Sequence, residues 1–139
     1  MKNFKLVEEG IHRGGQPVND ADWQLIQGSG VNQIVKLNSE LTDYERSKCN
    51  DFGIQLMVDS IPWTQQIFTE PDLQSITDCV GFIKPGTYVH CENGQDRTGL
   101  IIGRWRVLHG WTQKQAWDEM IANGFHVTEF GLVKAWFDL

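Results

Sequence analysis

The sequence predicts an α/β fold in which a central, mostly parallel and twisted sheet of about four to five strands is flanked by helices. Short segments with strand propensity alternate along the chain with segments that have helical periodicity. Glycine, proline and helix-capping residues stand between these segments, so most connections are short. With 139 residues, 40% of them hydrophobic, the chain is long enough for one domain over residues 1–139 to bury its own core.

Strands and helices alternate through the first part of the chain. The predicted elements are, in order, a strand at 4–7, a turn over 10–17, a helix capped by Asn19 and ending near Gly28 or Gly30, a strand at 34–37, a helix from a capping box at 42–45 to about Phe52, and a strand at 54–58. The turn over 10–17 is predicted because three glycines and a proline cluster there.

Helices dominate the second part. The predicted elements are a helix capped by Thr69, a turn over 84–86, a strand at 87–90, a helix at about 98–109, a helix from the cap Thr112 to Gly124, and a helix that begins at Thr128. In parallel sheets of this kind, ligands bind beyond the carboxyl ends of the strands. The strand at 87–90 is the important one, because residues typical of chemistry follow it directly.

The segment 90–99, His-Cys-Glu-Asn-Gly-Gln-Asp-Arg-Thr-Gly, joins this strand to the next predicted helix. A loop at such a place can turn successive backbone N–H groups inward, where the positive end of the helix dipole adds to them. Together these groups make a cradle for a phosphate. We assign the cradle to the residues that follow the cysteine, up to and including the arginine: Glu92, Asn93, Gly94, Gln95, Asp96 and Arg97.

Five residue types in this segment fit nucleophilic attack on phosphorus. Gly94 allows a positive φ or a close backbone approach, and Arg97 can donate two hydrogen bonds to phosphate oxygens. Cys91, at a helix N-terminus, is predicted to be a thiolate at neutral pH and therefore a nucleophile. Thr98 can donate its hydroxyl hydrogen to that thiolate. His90 is expected to orient the loop by bonding to its backbone.

The run His-Cys-x-x-Gly-x-x-Arg-Thr-Gly resembles the Cys-x5-Arg-Ser/Thr signature of the protein tyrosine phosphatase superfamily, most closely its small, atypical dual-specificity branch. Segments 13–17, 35–40 and 110–120 also resemble that branch. The resemblance implies the cysteine-phosphatase fold and a metal-independent phosphatase that forms a phosphocysteine intermediate and needs no cofactor. It further implies a separate carboxylic acid that protonates the leaving group.

Two aspartates are candidates for that general acid. Asp59 follows the strand at 54–58, about thirty residues before Cys91, and its Asp-x-x-Pro sequence resembles the acid loop of phosphatase-and-tensin type lipid phosphatases. Asp96 stands beside Arg97, where myotubularin-like phosphatases carry an acid, so it is the alternative, or a brace for the loop. We favour Asp59.

Outside the motif the sequence favours structural roles. Cys49 and Cys79 lie on predicted helices, where buried thiols are common. Arg13 has two candidate roles, part of the pocket rim or a salt bridge, and we favour the salt bridge. We expect Trp63, beside the candidate acid, to form one wall of the pocket. Three cysteines without ligand spacing predict neither a disulfide framework nor a metal site.

Charge narrows the substrate class. The loop carries two carboxylates and no lysine, whereas lipid phosphatases of the superfamily carry lysines there, so highly phosphorylated inositides are disfavoured. The formal net charge of −6 disfavours RNA and any stable nucleic-acid or membrane partner. The prediction is hydrolysis of phosphotyrosine, phosphoserine or phosphothreonine proteins, or of a small phosphomonoester. The alternatives are an RNA 5′-triphosphatase, a phosphoinositide phosphatase and a non-catalytic phosphate-binding module.

Location and assembly are predicted from simpler features. The sequence shows neither a signal-peptide pattern nor an apolar run of membrane-spanning length, which predicts a cytoplasmic location. The chain is near the minimum length for the family that it resembles, and we expect a monomer with few recognition insertions.

Overall fold

A computed structural model describes residues 1–62 and 67–139, and within them a five-stranded sheet lies among helices. The elements are β1 (Lys5–Glu8), β2 (Ile11–Gly14), α1 (Asp20–Gly28), β3 (Gln33–Lys36), α2 (Thr42–Phe52), β4 (Gln55–Val58), α3 (Glu70–Gly81), β5 (Thr87–His90), α4 (Asp96–Leu108), α5 (Gln113–Ala122) and α6 (Phe130–Asp138). The strand order is β1-β2-β5-β3-β4, and only the β1–β2 pair is antiparallel in this sheet. The predicted fold class is confirmed.

The two central strands, β5 and β3, are buried on both faces and alternate their side chains between two cores. Val35 and Val89 pack into the core that α3, α4, α5 and α6 cover. Ile34 and Tyr88 pack on the opposite face with Trp23 of α1. Burial on both faces explains why the two middle residues of each strand are hydrophobic, although they point to opposite sides of the sheet.

Most predicted helix ends are confirmed by hydrogen bonds. The side chain of Asn19 accepts from the backbone N–H of Asp22, and both Thr69 and Thr112 form complete capping boxes. Gly53 closes α2 with a φ of 67°, in the left-handed region that glycine reaches without strain. These boundaries follow from local chemistry, so the sequence alone was sufficient to predict them.

Two local predictions are wrong. Ile11–Gly14 forms β2 rather than a turn, because it pairs with both β1 and β5. The capping box at 42–45 does not form. The N-cap position of α2 is Leu41, with a φ of 55°, and the Thr42 hydroxyl donates to the Ser39 carbonyl. Glu45 is instead fully buried against the sheet. In both places long-range contacts override the local pattern.

The sheet register brings several loops to one edge. Gly14 of β2 and Lys36 of β3 both lie level with His90 at the end of β5. Val58 of β4 lies level with Lys36. The segments that follow these strands therefore meet around the loop that leaves β5. Among the helices described, none combines the length and apolarity that a membrane span requires.

Candidate active site

The loop between β5 and α4 holds the sulfur of Cys91 among hydrogen-bond donors. The Thr98 hydroxyl lies 3.1 Å from Sγ and the backbone nitrogen of Gly94 lies 3.3 Å from it. Cys91 is 3% exposed and stands just before the N-terminus of α4. Two hydrogen-bond donors therefore converge on this sulfur, in the loop that leads into α4.

Gly94 fits the loop tightly against the end of β2. Its φ is 75°, and a Cβ atom placed on it would overlap the carbonyl carbon of Gly14. The backbone N–H of Gln16 donates to the Glu92 carbonyl at 3.0 Å, and Arg13 donates from Nη2 to the Gly94 carbonyl at 3.1 Å. Hydrogen bonds from Gln16 and Arg13 to two carbonyl groups of the loop therefore hold the loop against β2 and the segment that follows it.

Arg13 departs from its predicted role. Rather than forming a salt bridge, the side chain is 2% exposed and bonds to the Gly94 carbonyl, and its Nε has no hydrogen-bond partner among the described residues. Burial lowers the pKa of this guanidinium, while the charges of Glu119 and Cys91 act in the opposite direction. The glycine pair that follows Arg13 was the sequence signal for this contact, because Gly14 and Gly15 let their backbone approach that of the phosphate loop closely.

Arg97 lies in the first turn of α4, so α4 begins two residues earlier than predicted. It faces a pocket of about 360 Å³ that is also lined by Ser39, Glu40, Ser60, Ile61, Pro62 and Asp72. Burial would raise the pKa of Glu40, but hydrogen bonds to its carboxylate, and then the charge of Arg97, lower it overall. The pocket beside the arginine therefore presents a carboxylate to an incoming ligand.

His90 contacts the loop as predicted, and the structure adds its partner. Nδ1 of His90 lies 2.9 Å from the Cys91 carbonyl oxygen, and Nε2 lies 2.6 Å from Oε2 of Glu45. Oε1 of Glu45 accepts from Lys36 at 2.9 Å and from Gln16 at 2.7 Å. Sequence reasoning missed Glu45 and Lys36 as site residues, because Glu45 looked like part of a capping box.

The two candidate acids lie in different surroundings. Asp59 directly follows β4, its backbone N–H bonds to the Lys36 carbonyl, and its carboxylate lies 3.8 Å from the sulfur of Cys79. Burial, and then the charge of Asp59, raise the pKa of Cys79 to about 12, so Cys79 stays a thiol. Asp96 is bound by the backbone N–H of His126 at 2.6 Å and by its Nδ1 at 3.0 Å.

The remaining residues singled out from the sequence lie in different surroundings. Oδ1 of Asn93 accepts from Lys2 at 3.2 Å, and Gln95 packs against Gly124. The side chain of Glu92 is exposed. Cys49 is buried in the core on the opposite face of the sheet, where burial and then the charge of Glu45 raise its pKa to about 12. Trp63 lies outside the described residues.

Comparison with known proteins identifies the family. Residues 1–126 match the family model of the tyrosine phosphatases. The chain belongs to the tyrosine phosphatase family. The predicted resemblance is therefore confirmed. As a member of this family, the chain belongs to the cysteine-based phosphatases.

The relatives of this chain are named for more than one activity. The chain is 27% identical over 125 residues to inositol diphosphatase DSP4 of Arabidopsis thaliana, covering 84% of this chain and 61% of that protein. It is 30% identical over 122 residues to the putative tyrosine-protein phosphatase OCA1 of Kluyveromyces lactis, covering 78% and 56%. The chain thus spans about three fifths of the length of the curated relatives that it matches.

Solved structures show the same fold. The core catalytic domain of the PP-IP phosphatase SIW14 from S. cerevisiae superposes with a TM-score of 0.80 at 19% identity, covering 97% of this chain and 85% of that one. P. aeruginosa TpbA superposes with a TM-score of 0.78 at 17% identity, covering 99% and 85%. At these identities the tyrosine phosphatase fold is what the likeness establishes.

Proposed function

We propose that this protein is a metal-independent cysteine phosphatase that hydrolyses phosphomonoesters through a phosphocysteine intermediate. The observation that carries the proposal is the position of the Cys91 sulfur, which accepts hydrogen bonds from Gly94 and Thr98 at the start of α4 with Arg97 in the first turn of that helix. A phosphate-binding module without turnover has no need of a nucleophile held in this way.

In the first step the Cys91 thiolate attacks phosphorus, so the S–P bond forms while the bond from phosphorus to the leaving oxygen breaks. The inward N–H groups of the loop and the guanidinium of Arg97 hold the other phosphoryl oxygens and neutralise the charge that develops on them. A carboxylic acid gives its proton to the leaving oxygen.

In the second step a water oxygen attacks phosphorus and the S–P bond breaks. The acid of the first step, now a carboxylate, takes the proton from the water, and the Thr98 hydroxyl stabilises the departing thiolate through the bond seen at 3.1 Å. The products are inorganic phosphate and the regenerated enzyme.

We assign the general acid to Asp59. Its carboxylate stands at the carboxyl end of β4, on the sheet edge where the phosphate loop lies, and its described side-chain partner is the weak donor Cys79. Asp96 is the weaker candidate because His126 already donates two hydrogen bonds to it, from its backbone and its ring. That contact suits a brace between the loop and the α5–α6 connection.

The substrate class that suits the site is a singly phosphorylated protein or a small phosphomonoester. Glu40 and Asp72 line the pocket beside Arg97, and Glu92 is exposed on the loop itself. These carboxylates repel a polyanion more strongly than a single phosphate. The second candidate is an inositol pyrophosphate, which the names of DSP4 and SIW14 suggest.

We extend the proposal to the context of the enzyme. It acts as a monomeric, cytoplasmic protein whose residues 1–139 form one domain. The support for the single domain is that the strands from β1 to β5 join one sheet and that α6 packs on the same core as α4.

Hydrolysis of para-nitrophenyl phosphate tests the activity. We expect turnover in wild type with and without a chelator, no turnover in Cys91→Ser, and near-normal turnover in Cys49→Ala, which removes a buried thiol on the other face of the sheet. Phosphate binding without turnover in wild type, or turnover that survives in Cys91→Ser, would overturn the proposal.

A panel of phosphopeptides, inositides, inositol pyrophosphates and triphosphate-ended RNA tests the substrate class. Under the proposal kcat/KM is highest for phosphopeptides or small phosphomonoesters. A preference for inositol pyrophosphates would instead establish the second candidate, and a preference for RNA would contradict both.

A further inference from the structure

We propose that Asn3 is a positioning residue that orients one peptide group of the phosphate loop, so that the N–H of Gly94 points toward the nucleophile and the phosphate beside it. The inference rests on the proposed function, because it concerns the cradle that holds the phosphoryl group. Asn3 lies ahead of β1, and its side-chain amide nitrogen donates to the Asn93 carbonyl oxygen at 2.7 Å.

The peptide group between Asn93 and Gly94 links this contact to the nucleophile. Its carbonyl oxygen accepts from Asn3 at 2.7 Å, and its N–H donates to the Cys91 sulfur at 3.3 Å. A trans peptide group is planar, and its C=O and N–H bonds point in opposite directions. A bond that holds the carbonyl oxygen away from the sulfur therefore also holds the N–H toward the sulfur.

This peptide group needs a hold from outside because a glycine follows it. Turning a peptide group over changes ψ of the residue before it and φ of the residue after it, and glycine accepts φ of either sign. The φ of Gly94 is 75° in the structure. If the group turned over, a carbonyl oxygen would replace the N–H donor beside Cys91, and its dipole would oppose the charge of a bound phosphate.

The neighbouring peptide groups of the loop are held in the same way by other residues. The Glu92 carbonyl oxygen accepts from the backbone N–H of Gln16 at 3.0 Å, and the Gly94 carbonyl oxygen accepts from Nη2 of Arg13 at 3.1 Å. Both donors belong to β2 or to the segment directly after it. The carbonyl between these two takes its donor from Asn3 instead. Three successive carbonyl groups are thus each held by a donor outside the loop.

The backbone around Asn3 suits this contact. The Lys2 carbonyl oxygen accepts from the backbone N–H of Gly15 at 2.8 Å, which ties the segment before β1 to the segment after β2. The Lys2 side chain donates to Oδ1 of Asn93 at 3.2 Å. Asn3 has a φ of 54°, in the left-handed region that asparagine adopts more readily than most residues other than glycine. An anchored backbone therefore presents the side chain of Asn3 to the loop.

Solvent does not impose the same constraint. Asn3 and Asn93 are both exposed, so a water molecule could donate to the Asn93 carbonyl in a variant that lacks the Asn3 side chain. Water would satisfy this carbonyl in either orientation of the peptide group, whereas the anchored Asn3 holds one orientation. Replacing Asn3 should therefore alter the orientation of the peptide group more than the stability of the fold.

The first test is NMR of the Gly94 amide in untagged protein, measured as its amide proton shift and by nitrogen relaxation dispersion. The variant Asn3→Gly removes the side-chain donor and keeps a residue that tolerates the positive φ. We expect one sharp Gly94 signal in wild type, and a shifted or exchange-broadened signal in Asn3→Gly. An identical Gly94 signal in the two proteins would overturn the inference.

The second test is the affinity for vanadate, measured by titration calorimetry so that no turnover is needed. We expect Asn3→Gly to bind vanadate about three- to tenfold more weakly than wild type, the range that one hydrogen bond supplies. Asn123→Gly is the matched control, because Asn123 also donates from its side-chain amide to a backbone carbonyl, that of Glu119 at 2.8 Å, which is not part of the loop. We expect the control to keep the wild-type affinity. Equal affinity in wild type and Asn3→Gly, or an equal loss in both variants, would overturn the inference.

Failure of this role and failure of the phosphatase function are distinguishable. If wild type neither binds vanadate nor turns over para-nitrophenyl phosphate, the phosphatase function fails, and the Gly94 signal still decides the role of Asn3. If wild type is an active phosphatase and Asn3→Gly matches it in the Gly94 signal or in vanadate affinity, the role of Asn3 fails alone.

Discussion

Arg13 donates from Nη2 to the carbonyl oxygen of Gly94 at 3.1 Å, so a cation on β2 holds the phosphate loop from behind. Its Nε has no described partner, and the side chain is almost fully buried. Arg13 forms no salt bridge with a carboxylate among the described residues, so its replacement by an apolar side chain of similar length leaves no buried carboxylate without its counter-charge. The loop, however, loses a charge-assisted bond of about 1.5–3 kcal/mol.

We therefore predict that Arg13→Met remains folded but binds the phosphate analogue vanadate at least about tenfold more weakly. Inhibition constants together with thermal unfolding measure the two effects. Because Arg106 is another largely buried arginine, and pairs with Glu119, Arg106→Met is a control that we expect to lose stability without a specific loss of vanadate affinity. Unchanged vanadate affinity in Arg13→Met would contradict the role assigned to Arg13.

Gly94→Ala is predicted to abolish most activity and to destabilise the fold. The new Cβ would overlap the backbone carbonyl carbon of Gly14, and neither backbone can move without disturbing β2. Gly110→Ala is the matched control, because Gly110 also has a positive φ but nothing lies within 4 Å of its Cβ position. The control should cost about 1–2 kcal/mol from backbone strain alone. Equal unfolding free energies for the two variants would show that the close approach to Gly14 is absent.

Acid should weaken the fold through Glu45. Because its pKa is lowered from 4.5 to about 2 in the folded protein, its stabilising contribution is complete above pH 4.5 and is lost as the pH falls towards 2. The loss amounts to about 3 kcal/mol. Urea unfolding between these pH values should therefore show a steeper decline for wild type than for Glu45→Gln. Parallel curves would contradict this origin of the acid sensitivity.

Asp59→Asn should slow a substrate with a poor leaving group far more than an activated aryl phosphate. A general acid contributes about 10²–10⁴-fold when the leaving oxygen needs a proton, and little when it does not. Comparison of kcat for phenyl phosphate and para-nitrophenyl phosphate measures this difference. Asp96→Asn is the control, and we expect it to affect both substrates alike through the contact with His126. The opposite pattern would assign the acid to Asp96.

The parts of the fold that depend on neighbouring residues were open to prediction. The motif from His90 to Gly99 carries its own geometry, because a strand, a glycine turn and a helix start stand next to each other in the sequence. The caps at Thr69 and Thr112 need only residues three positions away. The same local rules predicted the order of most strands and helices and the fold class.

The parts that depend on distant partners were not open to prediction. β2 exists because β1 and β5 pair with it, and its glycines locally indicate a turn. Glu45 matches a capping box in sequence, yet its partners, Lys36 and His90, lie on two strands of the sheet. Arg13 contacts Gly94, a residue far along the chain. Each of these contacts joins segments that are far apart in the sequence, so a pattern within one segment does not reveal it.

Trapping the covalent intermediate tests the central claim most directly. The enzyme is mixed with para-nitrophenyl phosphate, quenched within milliseconds in acid, and digested for peptide mass spectrometry. The account predicts one added phosphoryl group on the peptide that contains Cys91, present with or without chelator and absent in Cys91→Ser. A phosphoryl group on another residue, or turnover that continues in Cys91→Ser, would contradict it.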